Sequence, residues 1–241
     1  MIIEQNFYVS LRHVNDNMEL TNKSLLGYLE DIGGRHSNLV GNGLKQIKET
    51  RRTWMILYWK LKVINRPKYD DIITVRTWSA SRNNVFADRD FEILDKEKNV
   101  IAIATSRWVM VDIDEKKIAK MPEEIIEKYE PETEKRTFPD FKYDKLREPE
   151  KVDSSSFYTI NRQMIDINNH VHNISYYDLA EIAIPDEILQ TREFDDIEIM
   201  YKREIKLNEA VKLNYSEVDK DIVVTIKNED ETIIHAIVKF R

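Results

Sequence analysis

Between Met164 and Tyr177 the chain reads M-I-D-I-N-N-H-V-H-N-I-S-Y-Y, which gathers Asp166, Asn168, Asn169, His170, His172 and Asn173 into eight positions. A carboxylate, several amides and an imidazole at such spacing can orient a polar substrate, and an imidazole exchanges protons near neutral pH. The spacing that follows is helical, and a helix start offers unpaired backbone N–H groups and the positive end of a dipole to a developing oxyanion. A second reading of the same residues is structural: Asn168 and His170 cap the helix and satisfy those N–H groups. On residue types alone the two readings stand level. His172 reads as structural or exposed. His13, His36 and His235 are isolated in sequence and are given no role.

Another carboxylate, Glu204, falls in a run from Ile197 to Leu207 that reads as a long strand. Period two puts it on one face with Met200, Lys202 and Lys206, opposite Ile197, Ile199, Tyr201, Arg203, Ile205 and Leu207. Taken alone, a Glu flanked by cations is a solvated face.

The elements that must carry these residues follow from periodicity and turn signals. Phe7–Val14 reads as a strand, and a helix capped by Thr21 or Asn22 runs to about Val40, with Gly41 and Gly43 as terminators. Strands are expected at Trp54–Ile64, Ile72–Ser79, Val85–Leu94 and Val100–Ile113, and a short helix at Glu123–Tyr129. The stretch from 131 to 155 is rich in proline and charge and reads as a surface linker. The same order then returns: a strand at Phe157–Ile167, a helix from Val171 to about Ala183, and strands at Ile197–Leu207, Val211–Val218, Ile222–Lys227 and Thr232–Phe240. Y-L-E-D-I-G at Tyr28–Gly33 matches D-L-A-E-I-A at Asp178–Ala183 at an offset of 150. The expected architecture is α+β: a long helix laid on an antiparallel sheet, made twice.

Composition narrows the chemistry. The chain has 241 residues, a net charge of −7 and no cysteine. The charge argues against a nucleic-acid partner. The absence of cysteine removes disulfides, thiolate metal ligands and a thiol nucleophile. The N-terminus has no basic region followed by an apolar run, and no stretch approaches the length of a membrane span, so a cytoplasmic protein without membrane partners is the default expectation.

D-I-N-N-H-V-H-N-I-S-Y resembles the D-x-N-x-H-V-N-N-x-x-Y signature of acyl-acyl carrier protein (acyl-ACP) thioesterases, the plant FatA/FatB type and their bacterial relatives. Tyr201-Lys202-Arg203-Glu204 is similar to that family's Y-R-R-E motif. Val75–Arg82, Ala87–Phe91, Ser106–Asp112 and Met121–Glu124 also look like family segments. The resemblance implies a double hotdog: residues 1–130 as an N-terminal hotdog that binds the acyl chain, 131–155 as a linker, and 156–241 as a C-terminal hotdog with the catalytic residues. It carries the catalytic positions to Asp166, Asn168, His170 and Glu204. Many plant members have cysteine after the glutamate; here that position is Ile205, so water is the nucleophile this chain can use. His172 stands where plant members usually have Asn.

The resulting expectation is hydrolysis of fatty acyl-ACP to a free fatty acid. Glu204 acts as general base, His170 positions water or thioester, Asn168 and a helix N-terminal amide polarise the carbonyl, and Asp166 orients its neighbours. No cofactor or metal is called for, the partner is an acidic acyl carrier protein, and a homodimer is left open. Arg51, Arg52, Lys60, Lys62, Arg66 and Lys68 form a candidate docking cluster, and read equally well as a solvated strand edge. The competing readings are a hotdog acyl-CoA thioesterase, a non-catalytic acyl-binding hotdog protein and, more distantly, a metal hydrolase, although His170 and His172 lack the i, i+4 spacing of a helical zinc pair.

Overall fold

A computed structural model describes residues 1–241 as two compact units, Met1–Lys142 and Tyr143–Arg241. In the first unit, β1 (Ile3–Tyr8) leads through a short 3-10 turn and a tight hairpin into α1 (Asn22–Leu39). A four-residue helix, α2 (Ile47–Thr50), precedes the strands β2 (Arg52–Val63), β3 (Ile72–Ser79), β4 (Phe86–Leu94) and β5 (Val100–Asp112). The short β6 (Lys117–Ala119) and α3 (Glu123–Lys128) complete it. All pairings are antiparallel in the order β1-β3-β4-β5-β2, with β6 on the end of β5.

Helix α1 forms where expected because its start and stop are both specified. The Thr21 hydroxyl accepts from the Ser24 N–H at 3.2 Å, so Thr21 is the cap. Beyond the C-terminus Gly41 adopts φ +73°, and a Cβ on Gly43 would lie 2.1 Å from the Asn38 Oδ1. Only glycine fits there. Leu25, Leu26, Leu29 and Ile32 are fully buried on the face that packs on β3. Each such burial is worth about 1.5–3 kcal/mol relative to exposure.

The second unit repeats the plan. It runs β7 (Ser154–Thr159), a 3-10 turn at Arg162–Met164, α4 (Ser175–Ala183), α5 (Asp186–Thr191), β8 (Asp196–Tyr201), β9 (Ala210–Val218), β10 (Asp221–Asn228) and β11 (Ile234–Phe240). The order β7-β9-β10-β11-β8 is that of the first unit, strand for strand, and α4 packs on β9 and β10. Each unit is thus a helix on an antiparallel sheet, and the α+β double hotdog is the fold.

The opening strand of each unit lies earlier than expected, at Ile3–Tyr8 rather than Phe7–Val14 and at Ser154–Thr159 rather than Phe157–Ile167, and two further differences bear on the site. The helix expected from Val171 begins at Ser175, with Ile174 as its cap and no capping side chain. The strand expected to reach Leu207 ends at Tyr201, and all four residues Ile197–Met200 are buried, Glu198 included, so period two does not describe it. Glu198 is held inside by Arg241, whose Nη1 lies 2.6 Å from its Oε1. A strand covered on both faces hides its alternation. The Pro-rich stretch is also divided. Pro131–Lys142 belongs to the first unit, strapped down by Trp78 Nε1 on the Lys135 carbonyl (2.8 Å) and by Asp90, which accepts from Arg136 Nε (3.0 Å) and Thr137 N–H (2.9 Å).

Candidate active site

Asp166 to His170 form the tip of a tight hairpin whose base is the bridge between Ile165 and Val171. The Asp166 N–H donates to the His170 carbonyl at 2.9 Å, and Asn169 takes the left-handed conformation (φ 63°) that closes the turn. Asn tolerates that conformation better than other residues with a Cβ. The Asp166 carboxylate braces the tip from within. Its Oδ1 accepts from the N–H groups of Asn168 (2.8 Å) and His170 (3.2 Å), and its Oδ2 accepts from the Asn168 side-chain amide (3.1 Å). One carboxylate therefore fixes both Asn168 and His170. Neither caps α4, which starts five residues after His170, so the capping reading fails on geometry.

Glu204 lies in the extended segment after β8, not on a strand, and its side chain is exposed. The segment is tied to the hairpin by Val171 N–H on the Ile205 carbonyl (2.8 Å) and by the bridge between His170 and Lys206. This pairing brings His170 Nε2 to 3.4 Å from Glu204 Oε2. The gap is slightly longer than a good hydrogen bond and within the range over which catalytic pairs tighten once substrate is bound. Asp166, Asn168, His170 and Glu204 are thus one cluster within the second unit. His170 is one-third exposed at the side chain and Glu204 rather more, so both meet solvent. No group of three or more His, Asp or Glu side chains comes together in a metal-ligating arrangement.

Supporting residues escaped the sequence reading. The Tyr176 hydroxyl donates to the Arg203 carbonyl at 3.1 Å, and Tyr201 reaches back to the Asn173 carbonyl at 3.0 Å, with the two rings edge to face. These bonds hold α4 against the Glu204 segment. Burial pushes the Tyr176 hydroxyl pKa up, so it stays a neutral donor. His235, given no role above, accepts at its backbone carbonyl from the N–H groups of both Lys202 (2.8 Å) and Arg203 (3.1 Å). Burial pushes its imidazole pKa down, keeping it uncharged behind the site. The final Tyr of the D-x-N-x-H signature was a signal for Tyr176; nothing local marked His235.

The first unit builds the same hairpin at an offset of 151, one more than the helices suggested. Val14 and Leu20 bridge as Ile165 and Val171 do, Met18 takes φ 61°, and Asn15 Oδ1 accepts from the N–H groups of Asn17 (3.1 Å) and Glu19 (2.9 Å). Leu20 N–H bonds the Pro67 carbonyl as Val171 bonds Ile205, so Glu19 stands for His170 and Arg66 for Glu204. Arg66 turns back to the Leu20 carbonyl (2.9 Å) and Asn22 (3.0 Å). The backbone is duplicated and the carboxylate–imidazole pair is not.

Comparison with known proteins follows the same two-part division. The acyl-ACP thioesterase N-terminal domain matches residues 2–129 and the C-terminal domain residues 147–241. The chain is 27% identical over 238 residues to the chloroplastic oleoyl-acyl carrier protein thioesterase of Coriandrum sativum, covering 92% of this chain and 64% of that protein. It is 25% identical to the chloroplastic oleoyl-acyl carrier protein thioesterase 1 of Arabidopsis thaliana, covering 86% and 62%. The chain thus spans a little under two-thirds of these relatives. Its fold is that of an acyl-ACP thioesterase from Bacteroides thetaiotaomicron (TM-score 0.88, 24% identity, 99% of this chain and 96% of that one). A 12:0-ACP thioesterase from Umbellularia californica shares it as well (TM-score 0.86, 16% identity, 100% and 96%). With its two halves matched in order by the two domains, the chain belongs to the acyl-ACP thioesterase family.

Proposed function

We propose that the chain hydrolyses the thioester of a fatty acyl group carried on acyl carrier protein, releasing the free acid and the carrier thiol. The observation that carries this reading is the single His170–Glu204 pair, 3.4 Å apart, beside a hairpin tip braced by Asp166. Glu204 takes a proton from water as the water oxygen attacks the carbonyl carbon. The C–S bond then breaks, and the departing thiolate recovers that proton. His170 orients the water or the thioester. The Asn168 amide polarises the carbonyl, since its backbone and one side-chain N–H are already held by Asp166. A contribution from the N-terminus of α4 is weaker than the sequence suggested, because the helix starts at Ser175. Asp166 acts through its neighbours as a positioning residue.

In this reading the second unit carries the chemistry and the first unit binds the acyl chain. The first unit's packed rings support that division: Trp59 lies against Phe91 and the half-buried Trp108, and Tyr58 against the half-buried Phe141. Acyl-ACP substrates of different lengths, with the released acids identified, test the function. The same acyl group on CoA tests the carrier. No release from any acyl-ACP would overturn the reading.

A further inference from the structure

The cluster expected to dock the carrier, at positions 51 to 68, is largely spoken for within the first unit. Arg51 pairs with Asp114, Lys60 is buried over the Phe138 and Phe141 rings, Arg66 is bound to Leu20 and Asn22, and Lys68 lies 3.6 Å from Glu19. Different cations are free. Lys202, Arg203 and Lys206 flank Glu204, are all exposed, and have no carboxylate partner. Acids outnumber bases 21 to 13 in the second unit, and Lys145, Arg147, Arg162, Arg192 and Lys220 also lack a carboxylate partner, so what sets these three cations apart is their place beside Glu204. Lys151, Lys212, Lys227, Lys239 and Arg241 all pair with a carboxylate there.

In the first unit the same backbone arrangement forms without two of these side chains. The positions matching Lys202 and Arg203 in the first unit are Ile64 and Asn65, and the match of Lys206 is Lys68, which has Glu19 to pair with. At Glu19's place the second unit has His170, so Lys206 is left without an acid. The hairpin tip differs too. Ile167 is 76% exposed, whereas its match is Asp16, so the turn itself does not call for an apolar residue.

We infer that Lys202, Arg203, Lys206 and the apolar tip Ile167 form the docking surface for an acidic face of the acyl carrier protein, beside the catalytic cluster. The inference rests on the function proposed above. Three unpaired cations in an otherwise acidic unit attract a negative partner and set its orientation, and an exposed aliphatic tip adds a contact that salt does not screen. The three cations lie within two residues of Glu204 along the chain, so docking on them delivers the thioester to the base.

The test titrates holo-acyl carrier protein, without an acyl group, against the wild-type chain and the triple variant Lys202→Glu/Arg203→Glu/Lys206→Glu. A control variant, Lys116→Glu/Lys117→Glu/Lys120→Glu, makes the same change in net charge on the first unit. The triple variant should bind the carrier on the order of tenfold more weakly and raise KM for acyl-ACP similarly, while the control stays near wild type. An unchanged circular dichroism spectrum and melting temperature should show that the fold of the triple variant is intact, and hydrolysis of an acyl-N-acetylcysteamine thioester, which lacks carrier and phosphate, should fall less than hydrolysis of acyl-ACP. Ile167→Asp should also weaken carrier binding. Unaltered carrier affinity in the triple variant would overturn the assignment, as would an equal loss in the control. An equal rise in KM for acyl-CoA would overturn it too, because the cations would then read the phosphate that both carriers share. Because the titration needs no turnover, a wild-type chain that binds the carrier yet hydrolyses nothing refutes the catalytic proposal and leaves this one standing.

Discussion

At the residue scale the site depends on one carboxylate used in two directions. Asp166 accepts two backbone N–H groups and a side-chain amide, so its removal frees three donors at once. Asp166→Ala should lower kcat by about 10²-fold or more through misplacement of Asn168 and His170. Faster hydrogen exchange at the Asn168 and His170 amides, with other amides unaffected, checks that cause. His36 makes a separate prediction. It is buried with Arg89 Nη1 2.9 Å from its Nδ1, and burial together with that cation pushes its pKa down to about 3. The unfolded chain binds the proton more readily, so the stability that neutral His36 contributes is complete above about pH 6.5 and falls as pH drops toward 3. The slope is about 1.4 kcal/mol per pH unit. Urea midpoints measured across that window should fall less steeply in His36→Gln than in the wild type. Asp166, Asn168 and His170 were legible because one short turn holds them together. Glu204 was legible only through its motif, since it sits past the end of a doubly buried strand where alternation carries no information. His235 acts through its backbone, which no side-chain pattern reveals.

At the scale of elements, the hairpin is the unit that evolved twice and was equipped once. Its geometry needs an αL residue at the fourth tip position, met by Met18 in one copy and Asn169 in the other. Asn169→Val, a β-branched residue at φ 63°, should cost about 1–2 kcal/mol and reduce activity, whereas Asn169→Gly should be tolerated. Thermal unfolding with parallel turnover assays separates the two. The C-terminal stop of α1 is equally constrained. Gly43→Ala drives a methyl group into Asn38 and should destabilise by about 1–3 kcal/mol, read from the denaturation midpoint. The starts of α1 and α3 were legible, but that of α4 was not. The polar run before α4 looks like a cap because hairpin tips and helix caps recruit the same Asp and Asn residues for the same orphan N–H groups.

At the scale of the whole molecule, the repeated strand order was legible because each strand ends in turn residues and each unit opens with a strand followed by its main helix. The limits of the linker were not, since Pro131–Lys142 is held by side chains far away in sequence. Asp90, with no exposed surface, anchors it. Asp90→Ala should cost about 3 kcal/mol by leaving buried donors and the Arg136 charge unmatched, and should make residues 132–137 sensitive to protease. If the first unit binds the acyl chain, Trp59→Leu should shift preference toward longer chains in the same substrate panel. The central claim concerns the pair in the second unit. It is tested most directly by comparing single-turnover hydrolysis of an acyl-ACP by the wild type and by Glu204→Ala, with circular dichroism confirming the fold. A fall in rate of about 10²- to 10⁴-fold is the predicted result. A folded Glu204→Ala that releases fatty acid at close to the wild-type rate would contradict it.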